Sequence, residues 1–459
     1  MNHIPLERSA ASRWLRALAL CTVVAVLAVA CGGSRKTSSN PGTTTAGGGG
    51  GTTAPVVNTA NCPAGNDTVG VSGDTITIGT SLPESGLYQA FTAILKGEKS
   101  YFEYMNAQGG VTVAGKKYKI NLVDKDDAYD AAKTVTNVNS LINDTKVFSL
   151  FNVVGTKNNL AVRDLVNSQC VPDLLIASGA VQWGNTKFPW MLGSELVPYP
   201  DEMQTLVDYL KTTKPNAKIA VLKANDDFGQ SYADTLKALI VGTNLKIVQT
   251  QGYDPETSEV KAQVTSLAAT KADVFVLGGT LLACPNALNA MGDAGWKPIV
   301  YMSGTCVSKV LLGIAGKNAN GIFSVTPLID PSAPANDSNP AVATYKAQVK
   351  KYAKDADVSD GIVAYGWTTA ALFAKILESS PKLTRSAVME TARTLTGVKG
   401  VGLQLPQSTW TTSAKDWFIG ETFQLIKYDA TAGHSVNVGP ITDDNGKTAA
   451  ISPKILLTQ

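Results

Sequence analysis

Histidine is nearly absent from this 459-residue chain, which contains only His3 and His434. A Ser-His-Asp arrangement therefore has at most one candidate base outside the N-terminal segment, and a His-rich metal site is excluded. The G-x-S-x-G turn of many hydrolases and the H-E-x-x-H helix of zinc proteases are also missing. Missing motifs do not disprove an enzyme, but the export signal, tether and two-lobed pattern described below fit a receptor better, so no enzyme is expected. A carboxylate-only metal site stays open, but no metal or other cofactor is expected.

An excess of charge of either sign is also lacking. The chain has 40 Lys and Arg against 37 Asp and Glu, a net charge of +3. A nearly neutral chain of this length gives no reason to expect nucleic acid or a polyanion as partner. Its hydrophobic content of 44% is enough for a sizeable core, and its length predicts two or more domains.

The apolar run Ala17–Ala30 is too short for a typical membrane span. It follows a segment with three arginines, so residues 1–30 are predicted to be an export signal. Small residues just before Cys31 resemble the lipobox of bacterial lipoproteins, in which the signal is cut before the Cys and its thiol is acylated. Ala28 departs from that pattern, because Leu is usual at this position. We expect lipidation at Cys31.

Residues 31–60 are rich in Gly, Ser and Thr and include five consecutive glycines, Gly47–Gly51. Such a composition behaves as a flexible coil, with an rms reach of about 30 Å. The segment is predicted to tether a globular body to the extracytoplasmic face of the bacterial cell membrane. The lipid anchor would be the only contact with the membrane.

Four cysteines follow the tether or lie at its border. In an exported chain they indicate two disulfides, for which three connectivities are possible. We favour Cys284–Cys306 and Cys62–Cys170. None of the four has the C-x-x-C spacing of a metal or redox site.

The stretch Ile76–Phe91 predicts the opening unit of an α/β sheet. Thr75–Thr80 alternates as a buried strand does, Pro83–Gly86 breaks it, and a helical pattern begins near Gln89. In open α/β sheets, ligands lie just beyond the carboxyl ends of the strands.

The same strand, turn and helix pattern recurs along the chain. In the first series the strands are Lys116–Val123, Phe148–Val154 and Leu174–Ala177; in the second they are Lys218–Leu222, Leu245–Gln249, Asp273–Leu277 and Ile299–Met302. Three strands of the first series end in small or polar turns, Ser85-Gly86, Gly155-Thr156 and Ser178-Gly179. The pattern predicts two doubly wound α/β lobes.

Two other motifs are near matches to ligand-binding loops, and we interpret both as parts of the fold. Gly110–Lys117 nearly matches a phosphate-binding loop, but it ends in Lys and leads into a strand. The acidic stretch Asp124–Asp130 lacks the central Gly and terminal Glu of a calcium loop, and it suits the start of a helix at Ala131.

Six stretches together resemble the type I periplasmic binding proteins, specifically the leucine/isoleucine/valine-binding family of ABC-transporter receptors. They are ITIGTSLPESG, DKDDAYD, VPDLLIASGA, KANDDFGQSYADTL, ADVFVLGGT and MGDAGWKPIVYMSGT, and their order and spacing from residue 75 to 427 carry the resemblance.

The resemblance implies two lobes joined by a three-crossover hinge, which close on a small-molecule solute. Lobe 1 would comprise residues 74–193 plus 330–405, and lobe 2 residues 194–329 plus 406–459. The segment Asp330–Pro340 would cross between them. The implied protein is a monomer that binds an amino acid, amide or carboxylate and delivers it to ABC permease subunits.

The resemblance also implies ligand contacts at the turns. In lobe 1 these would be Ser85, the aromatics Tyr88 and Phe91, Gly155 with Thr156, and Ser178, Gly179 and Val181; in lobe 2 they would be Phe228, Thr280 and Thr305. Trp183 and Trp190 would line the cleft entrance or pack at the hinge.

One departure from the family bears on the ligand. Thr305 stands where amino-acid-binding members place the acid that pairs with the ligand ammonium, and Thr280 replaces an aromatic. Thr cannot neutralise a buried cation. Either another group such as Glu84 supplies the charge, or the ligand is not an ordinary α-amino acid.

Two alternatives to a transport receptor remain: a ligand sensor that feeds a signalling partner, and an exported hydrolase. The hydrolase would have to convert a substrate on incubation.

Overall fold

The computed structural model describes residues 56–456. The predicted signal peptide (1–30), Cys31 and the tether as far as residue 55 lie outside the described residues. Within the described range no helix is both long and apolar enough to cross a membrane.

The described residues form fifteen strands and twelve α-helices. The strands are β1 (Val71–Ser72), β2 (Thr75–Leu82), β3 (Val111–Val113), β4 (Lys116–Asp126), β5 (Ser149–Phe151), β6 (Asp173–Ile176), β7 (Met191–Gly193), β8 (Lys218–Ala224), β9 (Lys246–Tyr253), β10 (Val274–Gly278), β11 (Ile299–Met302), β12 (Phe323–Thr326), β13 (Thr422–Asp429), β14 (His434–Asn437) and β15 (Thr442–Asp443). The helices are α1 (Thr92–Ala107), α2 (Ala131–Ser140), α3 (Thr156–Ser168), α4 (Tyr199–Thr213), α5 (Asp227–Leu239), α6 (Lys261–Ala269), α7 (Ala283–Asp293), α8 (Lys309–Ala315), α9 (Pro340–Tyr352), α10 (Gly361–Ser379), α11 (Arg385–Ala392) and α12 (Lys447–Leu456).

The first sheet has the strand order β3-β4-β2-β5-β6-β7, and β1 also pairs with β2. The ladders from β4 through β7 are parallel, with Thr75 opposite Lys119 and Leu82 opposite Asp126. Ile76, Ile78 and Leu82 are fully buried, as expected for a parallel strand covered by helices on both faces.

Helices α1 and α10 pack against each other at two glycines. A Cβ on Gly97 would lie 2.2 Å from the Val363 carbonyl oxygen, and one on Gly366 would lie 2.0 Å from that of Ile94. Only glycine allows the two backbones to approach this closely.

The second sheet has the order β14-β13-β12-β11-β10-β8-β9, and β15 also pairs with β13. Strands β9, β8, β10, β11 and β12 are parallel, whereas β13 runs antiparallel to β12, β14 and β15. The two sheets with their helices confirm the predicted fold class of two α/β lobes.

The chain passes between the two sheets three times: after β7, after β12 and before β13. The three crossing segments lie side by side. Ile329 N donates to the Leu403 carbonyl over 2.8 Å, which joins the second crossing to the third. A Cβ on Gly420 would lie 2.3 Å from the Leu196 carbonyl oxygen, so the third also touches the first.

Both disulfides that the sequence favoured are present. Cys62 pairs with Cys170 over a separation of 108 residues, and Cys284 pairs with Cys306 over 22. The first ties the N-terminal segment to the loop before β6. The second ties α7 to the short 3₁₀ helix that follows β11.

The N-terminal segment is further fastened to α11, a helix that the sequence did not predict. Arg385 is buried and donates to the Phe148 and Val147 carbonyls over 2.8 and 2.6 Å, and also to the Asn66 side chain. Burial lowers the pKa of Arg385 to about 10. The backbone amides of Val56 and Val57 donate to the Glu390 carboxylate.

Candidate ligand-binding cleft

The two lobes touch where their strands end. The Tyr88 hydroxyl, in the 3₁₀ helix Gly86–Phe91 after β2, donates to the carbonyl of Pro255, just after β9, over 3.0 Å. The carboxyl edges of both sheets therefore face one another, as ligand-binding sites in α/β sheets require.

Three predicted lobe 1 residues come together with a residue that the sequence did not single out. The Thr156 and Ser178 hydroxyls lie 2.8 Å apart and are both buried. The side chain of Tyr199 is hydrogen bonded to both, and its amide donates to the Gly179 carbonyl over 2.8 Å. Burial raises the pKa of Tyr199 to about 12. The Ser178 hydroxyl also accepts the Ala180 amide over 3.2 Å.

Gly155 is covered by Tyr129. Gly155 has a φ of 105°, and a Cβ there would lie 2.7 Å from the Tyr129 ring. The Tyr129 ring stacks on Tyr88 with the centroids 4.2 Å apart, and Lys157 Nζ lies 4.9 Å from its centroid. An aromatic ring thus covers the N-terminus of α3.

Tyr129 belongs to the acidic stretch that the sequence assigned only to the start of α2. Its side chain is 6% exposed. A lone aromatic residue among four aspartates was the available signal, since such a ring needs an apolar surface to cover.

Of the predicted lobe 2 residues, Thr305 lies beside Thr280, because the Thr305 hydroxyl donates to the Gly279 carbonyl over 3.5 Å. Phe228 is buried and packs edge-on against Tyr199, with the centroids 5.4 Å apart. The Thr280 amide donates to the Tyr253 hydroxyl over 3.4 Å, while the buried Thr280 hydroxyl has no partner among the described residues.

Ser85 is exposed, and both its amide and its hydroxyl donate to Asp126. Burial opposes ionisation of Asp126, but hydrogen bonds from Ser85, Ala128 and Glu84 together outweigh it and lower the pKa of Asp126. Burial and the nearby Asp124 raise the pKa of Glu84. Ser85 therefore holds its own loop in place.

A cavity lies between the lobes and consists of two adjoining chambers. The sheet-end chamber has a volume of about 470 Å³, and the hinge chamber, which lies against the crossing segments, about 880 Å³; both volumes include space open to solvent. The residues that line both are Leu196, Gly304, Thr305, Val307, Gly361 and Tyr365. Of the predicted ligand residues, Phe91 and Thr305 line the cavity.

The remaining predicted ligand residues do not line the cavity. Glu84, Trp183 and Trp190 do not line it either. Both tryptophans are buried, and Trp183 Nε1 donates to the Ser178 carbonyl over 2.9 Å. They pack within lobe 1. The ligand residues taken from the family resemblance stay a prediction.

Glu202 is an acid of the cavity lining that accepts the amide of Gly304, the residue before Thr305. It lies on α4 and is 2% exposed. Tyr232 Oη donates to its Oε1 over 2.9 Å and the Gly304 amide to its Oε2 over 3.1 Å. Burial raises the pKa of Glu202 to about 8, so the carboxyl is mostly protonated at neutral pH.

The lining contains one other acid and one base. Asp330 accepts hydrogen bonds from the amide and hydroxyl of Ser332 and from the Ser435 amide. Lys309 is exposed at the rim. Most of the remaining lining is apolar.

The sequence missed Glu202 because it missed α4. The helix follows Pro198, has Pro200 at its second residue and carries Asp201 and Glu202 in its first turn. Proline and acids at these positions are helix-start signals that would have located it.

Two α/β lobes with a cavity between the carboxyl ends of their sheets define the class of two-lobed ligand-binding proteins. A family model described as "Periplasmic binding protein" matches residues 75–449, and the chain belongs to that family.

Relatives and solved structures agree with this assignment. The chain is 26% identical over 256 residues to "Leu/Ile/Val-binding protein homolog 3" of Brucella melitensis, an alignment covering 54% of this chain and 66% of that protein. The chain spans less than two thirds of the length of the curated relatives it matches.

Two solved structures share the fold at low identity. One is described as a branched chain amino acid ABC transporter from Thermus thermophilus with bound valine (TM-score 0.71, 17% identity, covering 81% of this chain and 97% of that one). The other is a fatty acid ABC transporter substrate-binding protein from Thermomonospora curvata (TM-score 0.70, 21% identity, covering 84% and 96%).

Proposed function

We propose that the protein is an extracytoplasmic solute receptor of an ABC importer, which binds a small organic molecule between its lobes. The observation that carries the proposal is the cavity, which is lined by both lobes and by two of the crossing segments, through Leu196 and Leu328. Rotation about these segments would open and close it.

The printed names of the relatives support the same role. They describe a Leu/Ile/Val-binding protein, a branched chain amino acid transporter and a fatty acid transporter substrate-binding protein. These names cover both polar and apolar solutes, so they support a receptor without naming its ligand.

Binding without catalysis is the role that the cavity chemistry favours. Glu202 and Asp330 both accept hydrogen bonds from neighbouring groups, and neither lies beside a histidine in the lining. A general acid or base needs a proton path to a substrate atom. An exported hydrolase therefore has no specific support.

We further propose that the receptor is monomeric and is held at the membrane by acylated Cys31 through the tether. The lobe bounds of 74–193 plus 330–405 and 194–329 plus 406–459 belong to the same proposal. Mass spectrometry of the mature N-terminus tests the anchor, and an unmodified Cys31 in membrane-bound protein would contradict it.

A thermal-shift screen tests the receptor function. Ligand-stripped protein is expected to melt at a higher temperature with some member of a panel of amino acids, amides and carboxylic acids. Ligand at a hundredfold excess over Kd adds about 2.7 kcal/mol to the free energy of unfolding.

The same samples are analysed for conversion of the added compound. Turnover by the pure protein would contradict a receptor role. Unshifted melting for every compound, with protein that is folded by circular dichroism, would also contradict it.

A further inference from the structure

We infer that the Cys284–Cys306 disulfide positions one wall of the binding cavity, so that it contributes to ligand affinity as well as to stability. The inference rests on the proposed receptor function, because it concerns how the cavity holds a solute. It separates the roles of the two disulfides, since Cys62–Cys170 then stabilises the protein without affecting binding.

The turn that carries Cys306 forms part of the cavity wall. Gly304 and Thr305, the two residues before Cys306, line both chambers, and so does Val307, the residue after it. The Cys306 side chain is 0% exposed and does not line either chamber. A shift of the backbone at Cys306 would therefore move lining residues on both sides of it.

The backbone hydrogen bonds of this turn are mostly local. The Thr305 amide donates to the Ser303 hydroxyl over 3.2 Å, and the Cys306 amide to the Ser303 carbonyl over 3.0 Å. The Val307 amide donates to the Gly304 carbonyl over 3.1 Å. Bonds within the turn define its shape, but they do not fix its position against neighbouring elements.

The disulfide supplies a covalent link to a neighbouring element. Cys284 is the second residue of α7, which follows β10 as the turn follows β11, and these two strands are parallel neighbours. The bond therefore joins the connections at the carboxyl ends of two adjacent strands. Two hydrogen bonds assist it: the Gly304 amide donates to Glu202 over 3.1 Å, and the Thr305 hydroxyl donates to the Gly279 carbonyl over 3.5 Å.

The connection between β10 and α7 is strained at Leu281. This residue has left-handed backbone, with a φ of 47°, and is 1% exposed. Such a conformation is unusual for a bulky residue and persists only where the surrounding structure fixes it. Cys284 lies three residues later, so removing the disulfide would allow this connection to relax away from the turn at Cys306.

The other disulfide lies apart from the cavity. In the described part of the chain, neither Cys62 nor Cys170 is among the lining residues. This disulfide spans 108 residues, whereas Cys284–Cys306 spans 22. In the chain-entropy account a longer loop gives the larger stabilisation. The disulfide that contributes more to stability should therefore contribute less to affinity.

Two double variants test the inference by isothermal titration calorimetry at neutral pH. The probes are L-valine, propanamide and octanoate, one from each class of the thermal-shift panel. Cys284→Ala/Cys306→Ala should weaken binding at least about tenfold, since binding must then order the turn. Cys62→Ala/Cys170→Ala should change Kd by less than about twofold. Melting temperatures should rank the opposite way, with the larger loss in the Cys62 and Cys170 variant.

A third variant separates the covalent link from simple packing. Cys284→Val/Cys306→Ala restores much of the lost side-chain volume without the bond. It should melt at a higher temperature than the variant with two alanines, yet bind as weakly. Binding as tight as in the wild type would show that packing positions the turn, and would overturn the inference.

A measurement on the wild type does not depend on any variant folding. By linkage, a ligand that binds about tenfold better with the disulfide present must favour the disulfide over the dithiol by the same factor. The protein is equilibrated with reduced and oxidised dithiothreitol, with and without saturating probe. The thiols are then alkylated and quantified by mass spectrometry. The probe should shift the Cys284–Cys306 equilibrium about tenfold toward the disulfide and leave Cys62–Cys170 unchanged.

The outcomes separate this inference from the proposed function. Equal affinity losses in the two alanine double variants, or equal shifts of the two disulfide equilibria, would overturn the inference and leave a solute receptor in place. If no compound of the panel binds the folded wild type, the receptor function fails and the inference fails with it.

Discussion

Ala128 and Tyr129 are two consecutive non-glycine residues with left-handed backbone, at φ values of 48° and 64°. Such a conformation costs about 1–2 kcal/mol for each residue. The Asp127 carboxylate accepts the Tyr129 amide over 2.8 Å, and the ring is fixed by stacking on Tyr88. Strain of this kind concentrates at functional sites, which agrees with a ring placed in the cleft.

Asp173 carries the first prediction. It lies in β6 with 0% exposure, and neither carboxyl oxygen has a partner among the described residues. Burial raises its pKa to about 8, so the folded protein keeps a proton that the unfolded chain loses above about pH 4. The free energy of unfolding should therefore fall as pH rises through this window, by about 1.4 kcal/mol per pH unit from this residue.

Asp173→Asn should remove that contribution and flatten the pH dependence of the free energy of unfolding. Urea unfolding at several pH values between 5 and 7 measures this dependence. Asp164→Asn is the control, since the Asp164 side chain is 86% exposed. Equal slopes for the Asp173 variant and the wild type would show that Asp173 is ionised in the folded state.

The hairpin between β3 and β4 carries a prediction about an element. Val113 pairs with Lys116, so the turn consists of Ala114 and Gly115, both with positive φ (48° and 82°). This two-residue turn favours Asn-Gly, because Asn adopts the left-handed conformation more readily than Ala. Ala114→Asn should raise the free energy of unfolding by about 0.5–1 kcal/mol, measured by urea denaturation.

The same substitution in a right-handed helix is its control. Ala347→Asn on the exposed face of α9 should lower stability by about half a kcal/mol, since Asn has the poorer helix propensity in a helix interior. A loss of stability at both positions would contradict the turn argument.

Elements with a strong periodic pattern were predictable from the sequence. The predicted strands Thr75–Thr80 and Lys218–Leu222 lie within β2 and β8. Strand β7 was missed because its residues, Met-Leu-Gly, include no β-branched residue and do not alternate. Strand β12 and helix α11 were also missed.

The site was predictable only in part, because its shape depends on how the lobes meet. Thr156 and Ser178, predicted as ligand contacts at the turns after β5 and β6, lie side by side, although their role in binding stays a prediction. The sequence had no means of showing that Tyr199 and Tyr129 cover them, since both reach the turns from other parts of the chain. The apolar hinge chamber arises from crossing segments that carry no motif.

Contact between the lobes carries a prediction for the whole molecule. Tyr88 Oη donates to Pro255 O across the cleft, and Tyr88→Phe removes this bond while keeping the stacked ring. Loss of one hydrogen bond of about 1 kcal/mol in the closed state should weaken ligand binding about fivefold, mainly through faster dissociation.

Stopped-flow fluorescence with a ligand from the thermal-shift screen measures that rate. Tyr118→Phe, on β4 of the first lobe, is the matched control. An unchanged dissociation rate in the Tyr88 variant would mean that this bond does not hold the lobes together.

The fastening of the N-terminal segment has a mechanical consequence. The Cys62–Cys170 disulfide, Arg385 and Glu390 all attach that segment to the first lobe. Any pull that enters the chain ahead of Cys62 is therefore delivered to that lobe and bypasses the crossing segments. If the chain is anchored as proposed, a force on the tether would reach the first lobe and would not act on the cavity between the lobes.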